Sequence, residues 1–122
     1  MEARDFFKFK TWCVIGDVGN EKKYANKILK ALRERGYEVF GVSLKGGKEA
    51  FKSLKDIKRE IQVIDLCINP AKGIEFIKEA KDLNINKVLI QPGAESDEIL
   101  SFCKANEIYA IEGCALIELK RL

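Results

Sequence analysis

The sequence predicts an α/β domain of three layers: a doubly wound, mostly parallel sheet of five strands covered by helices on both faces. Three observations predict it. Short apolar runs alternate along the chain with segments whose apolar residues recur every three or four positions. The runs lack the polar alternation of a half-exposed strand, as strands buried on both faces should. The order strand, loop, helix then repeats to the far end, the pattern of parallel strands joined by right-handed crossovers.

The elements follow in order. Residues 11–15 (TWCVI) form a first strand stopped by Gly16. From Glu21 the period changes: Tyr24, Ala25, Ile28, Leu29 and Leu32 make an apolar stripe opposite Lys22, Lys23, Lys27, Lys30, Arg33 and Glu34, and Gly36 closes the helix. Residues 37–42 (YEVFGV) give the second strand. Ala50, Phe51 and Leu54 predict a short helix, and residues 62–68 (QVIDLCI) a third strand. At Asn69-Pro70 a helix begins, since asparagine accepts from free amides and proline suits the first helical position. Its stripe is Ile74, Ile77, Ala80 and Leu83. Residues 87–91 (KVLIQ) make a fourth strand, residues 95–106 a helix with Ile99, Leu100 and Cys103 inward, and residues 108–111 (IYAI) a fifth strand. This is a Rossmann-type arrangement, whose ligand crevice lies outside the carboxyl ends of the strands, where the strand order reverses.

Composition bounds the function. The 122 residues fit one domain, and a hydrophobic content of 47% is ample for one core. The charge of +3 is the balance of 22 basic and 19 acidic residues spread without a block or an arginine-rich arm, so nucleic acid is not the expected partner. The chain has no histidine, which excludes Ser-His-Asp and Cys-His catalysis and histidine-based metal sites. Cys13, Cys67, Cys103 and Cys114 contain no Cys-x-x-Cys pair and read as reduced thiols. With no apolar stretch near ~18 residues, the expectation is a soluble cytoplasmic protein that does not engage a membrane. Phe6, Phe7 and Phe9 pack either on their own domain or on a second subunit, so the chain is a monomer or a homodimer.

The loop after the first strand has the strongest case for a site. Gly16 permits a sharp exit and close approach of a ligand, the following helix offers free amides and a positive dipole end, and Lys22 and Lys23 add charge. The competing reading gives Asn20 a capping role and leaves the lysines to solvent. Gly16-x-x-Gly19 is not the dinucleotide fingerprint, and the second strand leads into Ser43-Leu44-Lys45 with no carboxylate to grip a ribose, so NAD is disfavoured. Lys45 there meets an extra phosphate or solvent. Receiver and P-loop readings fail on the absence of paired acids in the first loop and of Gly-Lys-Ser/Thr.

The chain resembles the small single-domain CoA-binding proteins, whose fold also forms the CoA-binding domain of succinyl-CoA ligase alpha subunits. The resemblance rests on Val14-Ile15-Gly16 with Lys23-Tyr24, Gly36-Tyr37-Glu38-Val39, Ser53-Leu54 with Ile57, Val63-Ile64-Asp65, Gln91-Pro92-Gly93-Ala94-Glu95-Ser96, and Cys114 with Glu118. It implies CoA or an acyl-CoA held by four loops: Gly16, Asp17, Val18 and Asn20 with Lys23 and Tyr24; Ser43, Leu44 and Lys45; Asn69 and Pro70; Gln91 and Gly93. It implies a binding module without catalytic residues. Where the family has Gly-Ala-Ser this chain has Gly16-Asp17-Val18, where it has Val-Asn-Pro this chain has Val42-Ser43-Leu44, and Gly113-Cys114 replaces Arg-Cys. A carboxylate near a pyrophosphate costs affinity unless it points away or a lysine offsets it. The competing expectation is a regulatory or interaction protein on the same scaffold that has lost CoA or binds another nucleotide.

Overall fold

A computed structural model describes residues 1–47 and 49–122. Strand β1 (Thr11–Gly16) leads to helix α1 (Tyr24–Glu34), followed by β2 (Glu38–Val42), β3 (Ala50–Phe51), β4 (Val63–Cys67), α2 (Pro70–Asp82), β5 (Lys87–Ile90), α3 (Asp97–Ala105), β6 (Tyr109–Glu112) and α4 (Ala115–Lys120). Among the described residues the strands form one parallel sheet in the order β3-β2-β1-β4-β5-β6. The chain winds outward from β1 to β3, then returns to lay β4 on the other side of β1. The reversal therefore falls between β1 and β4.

Alternation along the strands divides the core in two. Trp12, Val14, Val39, Val63 and Leu89 face α1 and α4, whereas Cys13, Ile15, Ile64, Leu66, Val88 and Ile90 face α2 and α3. Helix α1 turns Ala25, Ile28, Leu29 and Leu32 to the first layer, and α2 turns Ile74, Phe76, Ile77 and Ala80 to the second. The valine, leucine, isoleucine and phenylalanine side chains among these each contribute ~1.5–3 kcal/mol when fully buried.

The structure corrects two expectations and decides between the two alternatives for the N-terminal aromatics. The sheet has six strands rather than five, because Ala50–Phe51 pairs in parallel with Gly41 and Val42 where a short helix was expected. Two strand residues are too few to show a period. The 3₁₀ turn Leu54–Asp56 that follows is held by Glu79 of α2, whose carboxylate accepts from the Leu54 and Lys55 amides at 3.0 and 3.1 Å and from the Ser53 hydroxyl. Secondly, α1 begins at Tyr24 rather than Glu21, and α4 extends the chain beyond the last expected element. The N-terminal aromatics pack on their own domain: residues Ala3–Lys8 form a 3₁₀ helix in which Phe6 and Phe7 are 0% and 4% exposed. The Trp12 indole donates to the Phe9 carbonyl at 2.8 Å, the Tyr37 hydroxyl to the Phe7 carbonyl at 2.7 Å, and the Phe7 and Trp12 ring centroids lie 4.7 Å apart.

Asp65 sits in the middle of β4, fully buried, with neither carboxylate oxygen partnered among the described residues. Burial pushes its carboxyl well above the usual carboxylate range.

Candidate functional site

Three strand ends adjoining the reversal open into one cavity of about 410 Å³, lined by Gly16, Asp17, Lys23, Tyr24 and Ala25 after β1, by Ser43, Leu44 and Lys45 after β2, and by Cys67, Ile68, Asn69 and Lys72 after β4. Three lysines and a single carboxylate line it. The field there favours an anion.

Gly16 makes the floor possible. A Cβ at this position would lie 2.3 Å from the Cys67 carbonyl oxygen and 2.9 Å from Ala25 Cβ, so no side chain fits between β4 and the start of α1. The close approach that the sequence assigns to a ligand is already used by the protein's own backbone. The chain then turns by a Val18 amide bond to the Gly16 carbonyl at 2.9 Å, and Val18 drops inward against Gly41 of β2, where an added Cβ would stand 2.8 Å from Val18 Cγ2. Asn26 completes the loop by donating from Nδ2 to the Val18 carbonyl at 2.7 Å. Val18 thus anchors the loop from below and does not line the cavity.

Asn20 does not cap α1. Its Oδ1 accepts from the Lys22 amide at 3.0 Å within the preceding turn, and the N-cap position belongs to Lys23, which offers no capping side chain. The first turn of α1 also lacks an acidic residue. Its free amides and dipole end consequently meet the cavity with Lys23 beside them. Helix α2 differs, because Asn69 Oδ1 accepts from the Lys72 amide at 3.1 Å and Pro70 occupies the first helical turn.

After β2, Ser43 is buried and its amide donates to the Phe51 carbonyl at 2.8 Å, while the Gly46 amide returns to the Ser43 carbonyl at 2.9 Å. This tight turn presents Leu44 and Lys45 to solvent at the cavity edge. Lys45 Nζ reaches across to Asp17 Oδ2 at 3.2 Å, joining the loops after β1 and β2.

Gln91 and Gly93 lie elsewhere. The Gln91 side chain is buried, and its Oε1 accepts from the Ala115 amide at 2.8 Å, tying the end of β5 to the start of α4. Gly93 adopts a left-handed φ of 94° in the following turn. Eight of the thirteen residues expected at the site therefore share the cavity, and Val18, Asn20, Pro70, Gln91 and Gly93 do not line it. Lys72 and Cys67 were not expected there. A helical projection from Asn69-Pro70 places Lys72 in the first turn of α2, and β pairing places Cys67 opposite Gly16. Burial pushes the Cys67 thiol up to about 12. Among the described residues no group of three metal-ligating side chains occurs, and no helix is long and apolar enough to cross a membrane.

Solved structures share this fold. A conserved hypothetical protein from Pyrococcus furiosus superposes with a TM-score of 0.84 at 30% identity, covering 90% of this chain and 99% of that one. A hypothetical protein from Pyrococcus horikoshii gives 0.88 at 24% identity, with 96% and 86% covered, and a protein from Thermus thermophilus gives 0.86 at 24%, with 97% and 94% covered. None of the curated proteins matches the chain. Residues 10–120 match the family described as CoA binding domain, so the chain belongs to that family.

Proposed function

We propose that this chain binds coenzyme A, free or acylated, as a module that performs no chemistry on it. The observation that carries the proposal is the uncapped start of α1 opening, with Lys23, into a lysine-lined cavity at the strand reversal. In a CoA-binding family member this is where a pyrophosphate finds free amides and positive charge. The adenosine then extends toward the loop after β2, where Lys45 stands at the place that reads the ribose in dinucleotide-binding folds. Side-chain chemistry supports the non-catalytic reading: the chain has no histidine to act as a base, and burial raises the Cys67 thiol, which disfavours its nucleophilic thiolate.

Calorimetric titration with CoA, with NAD and ATP as controls, tests the binding. Micromolar affinity for CoA, about −8 kcal/mol, with weaker controls is expected. Acetyl-CoA incubated with the protein should be recovered with its thioester intact. A specific observation favours a second reading, a regulatory or interaction protein that has given up CoA: Asp17 places a carboxylate in the cavity. Absence of heat with all three ligands would select that reading.

A further inference from the structure

We infer that Asp17 is a specificity-determining residue that masks Lys45, so that the site scarcely distinguishes an adenosine ligand carrying a ribose phosphate from one lacking it. The inference rests on the CoA reading of the cavity.

The geometry is set by backbone on both sides. Asp17 lies in the turn closed by the Val18 amide on Gly16 and by the Asn20 amide on the Asp17 carbonyl, and its side chain is a quarter exposed (25%). Lys45 is presented by the Ser43–Gly46 turn, where its own amide donates to Ser43 Oγ at 3.3 Å. Two independently fixed turns, 28 residues apart in sequence, bring Nζ and Oδ2 to 3.2 Å at the rim of one cavity. Among the described ion pairs, Lys45 has a partner while Lys23 and Lys72 have none. The lysines beside the two helix starts are thus available to a ligand, and the one at the end of β2 is engaged internally.

Position gives this pairing its consequence. In dinucleotide-binding folds the end of the second strand reads the ribose, an acid accepting from a free hydroxyl and a cation meeting a phosphate. A ribose phosphate on the ligand and the Asp17 carboxylate compete for the same ammonium group. The phosphate gains Lys45 only by displacing Asp17, and it then faces the released carboxylate at short range. Both effects subtract from the preference for the phosphorylated ligand and leave contacts to the pyrophosphate unchanged.

The test is calorimetric titration of CoA and of 3′-dephospho-CoA into the wild-type protein, Asp17→Asn, Asp17→Ala and Lys45→Met. The wild type should bind the two ligands within about twofold of one another. Freeing an exposed cation from an ion pair worth up to about 1 kcal/mol should raise CoA affinity about fivefold in both Asp17 variants. The affinity for dephospho-CoA should stay unchanged in them, and Lys45→Met, which leaves the Asp17 carboxylate without its cation, should bind CoA no better than dephospho-CoA. Equal gains for both ligands would place Asp17 against the pyrophosphate and overturn the inference, as would a ratio that Asp17 variants leave unaltered. Those results require CoA to bind; failure of all four proteins to bind CoA, with their melting temperatures retained, would instead overturn the underlying reading and the inference with it.

Discussion

The carboxyl edge of the sheet has two halves built from similar parts. On one side, the loops after β1, β2 and β4 surround an open cavity with three lysines and an uncapped helix. On the other, the loops after β5 and β6 satisfy themselves. Gln91 accepts from the Ala115 amide, Glu95 from the Gly93 amide at 3.1 Å, and Ser96 caps α3 through the Ile99 amide at 3.1 Å. Asp97 and Glu98 then neutralise the dipole of α3 in its first turn. A helix start invites an anion only when the chain has not supplied its own acceptors. The Gln-Pro-Gly-Ala-Glu-Ser stretch, one of the segments that carry the resemblance, thus does structural work at the closed half.

Variants at both halves test that division. The largest effect is expected for Gly16→Ala, since its Cβ would stand 2.3 Å from a backbone carbonyl in the central strands. A loss of about 3 kcal/mol or more in denaturant unfolding is expected; a wild-type midpoint would show that β1 and β4 part more easily than their packing implies. Gln91→Leu strands the buried Ala115 amide and should cost about 1–3 kcal/mol of stability, while CoA affinity stays within twofold. A large loss of affinity at unchanged stability would erase the contrast between the halves.

The double variant Lys23→Gln/Lys72→Gln should weaken CoA binding about tenfold, two partly exposed charge contacts at up to about 1 kcal/mol each. Its binding should also respond less to added salt. The last prediction begins from no effect at acid pH and grows. Asp65 lies in β4 at the seam of the two halves, and its folded carboxyl is raised above the unfolded value near ~3.9. Folding therefore takes up a proton above that pH, and the wild type loses stability as pH rises. Asp65→Asn cannot titrate, so its advantage in unfolding experiments should be absent near pH 4 and widen toward neutrality. A difference independent of pH would mean that the carboxylate is stabilised within the fold.

How much of this is legible in the sequence depends on how local each feature is. Strand β1, the apolar stripes of α1 and α2 apart from the exposed Tyr24 and Leu83, and the Asn69-Pro70 start of α2 are readable because burial on a repeating period leaves its mark residue by residue. Ala50–Phe51 reads as helix from sequence, since two strand residues carry no period and their pairing with β2 is decided by neighbours. The same holds for Val18 and Gln91. The resemblance implies ligand contact for both, whereas Gly41 and the Ala115 amide, distant in sequence, draw them into structural roles.

The sequence by itself determined the parallel α/β architecture, the family to which the chain belongs, and the concentration of candidate residues in loops that follow strands. Hydrophobic period, turn chemistry and short motifs are written in consecutive residues. Tertiary structure alone decided which loops open and which close, why Gly16 has to be glycine, and that Asp17 meets Lys45. Each of these depends on distances between residues far apart along the chain, and only the winding of β2 and β4 onto opposite sides of β1 fixes those distances.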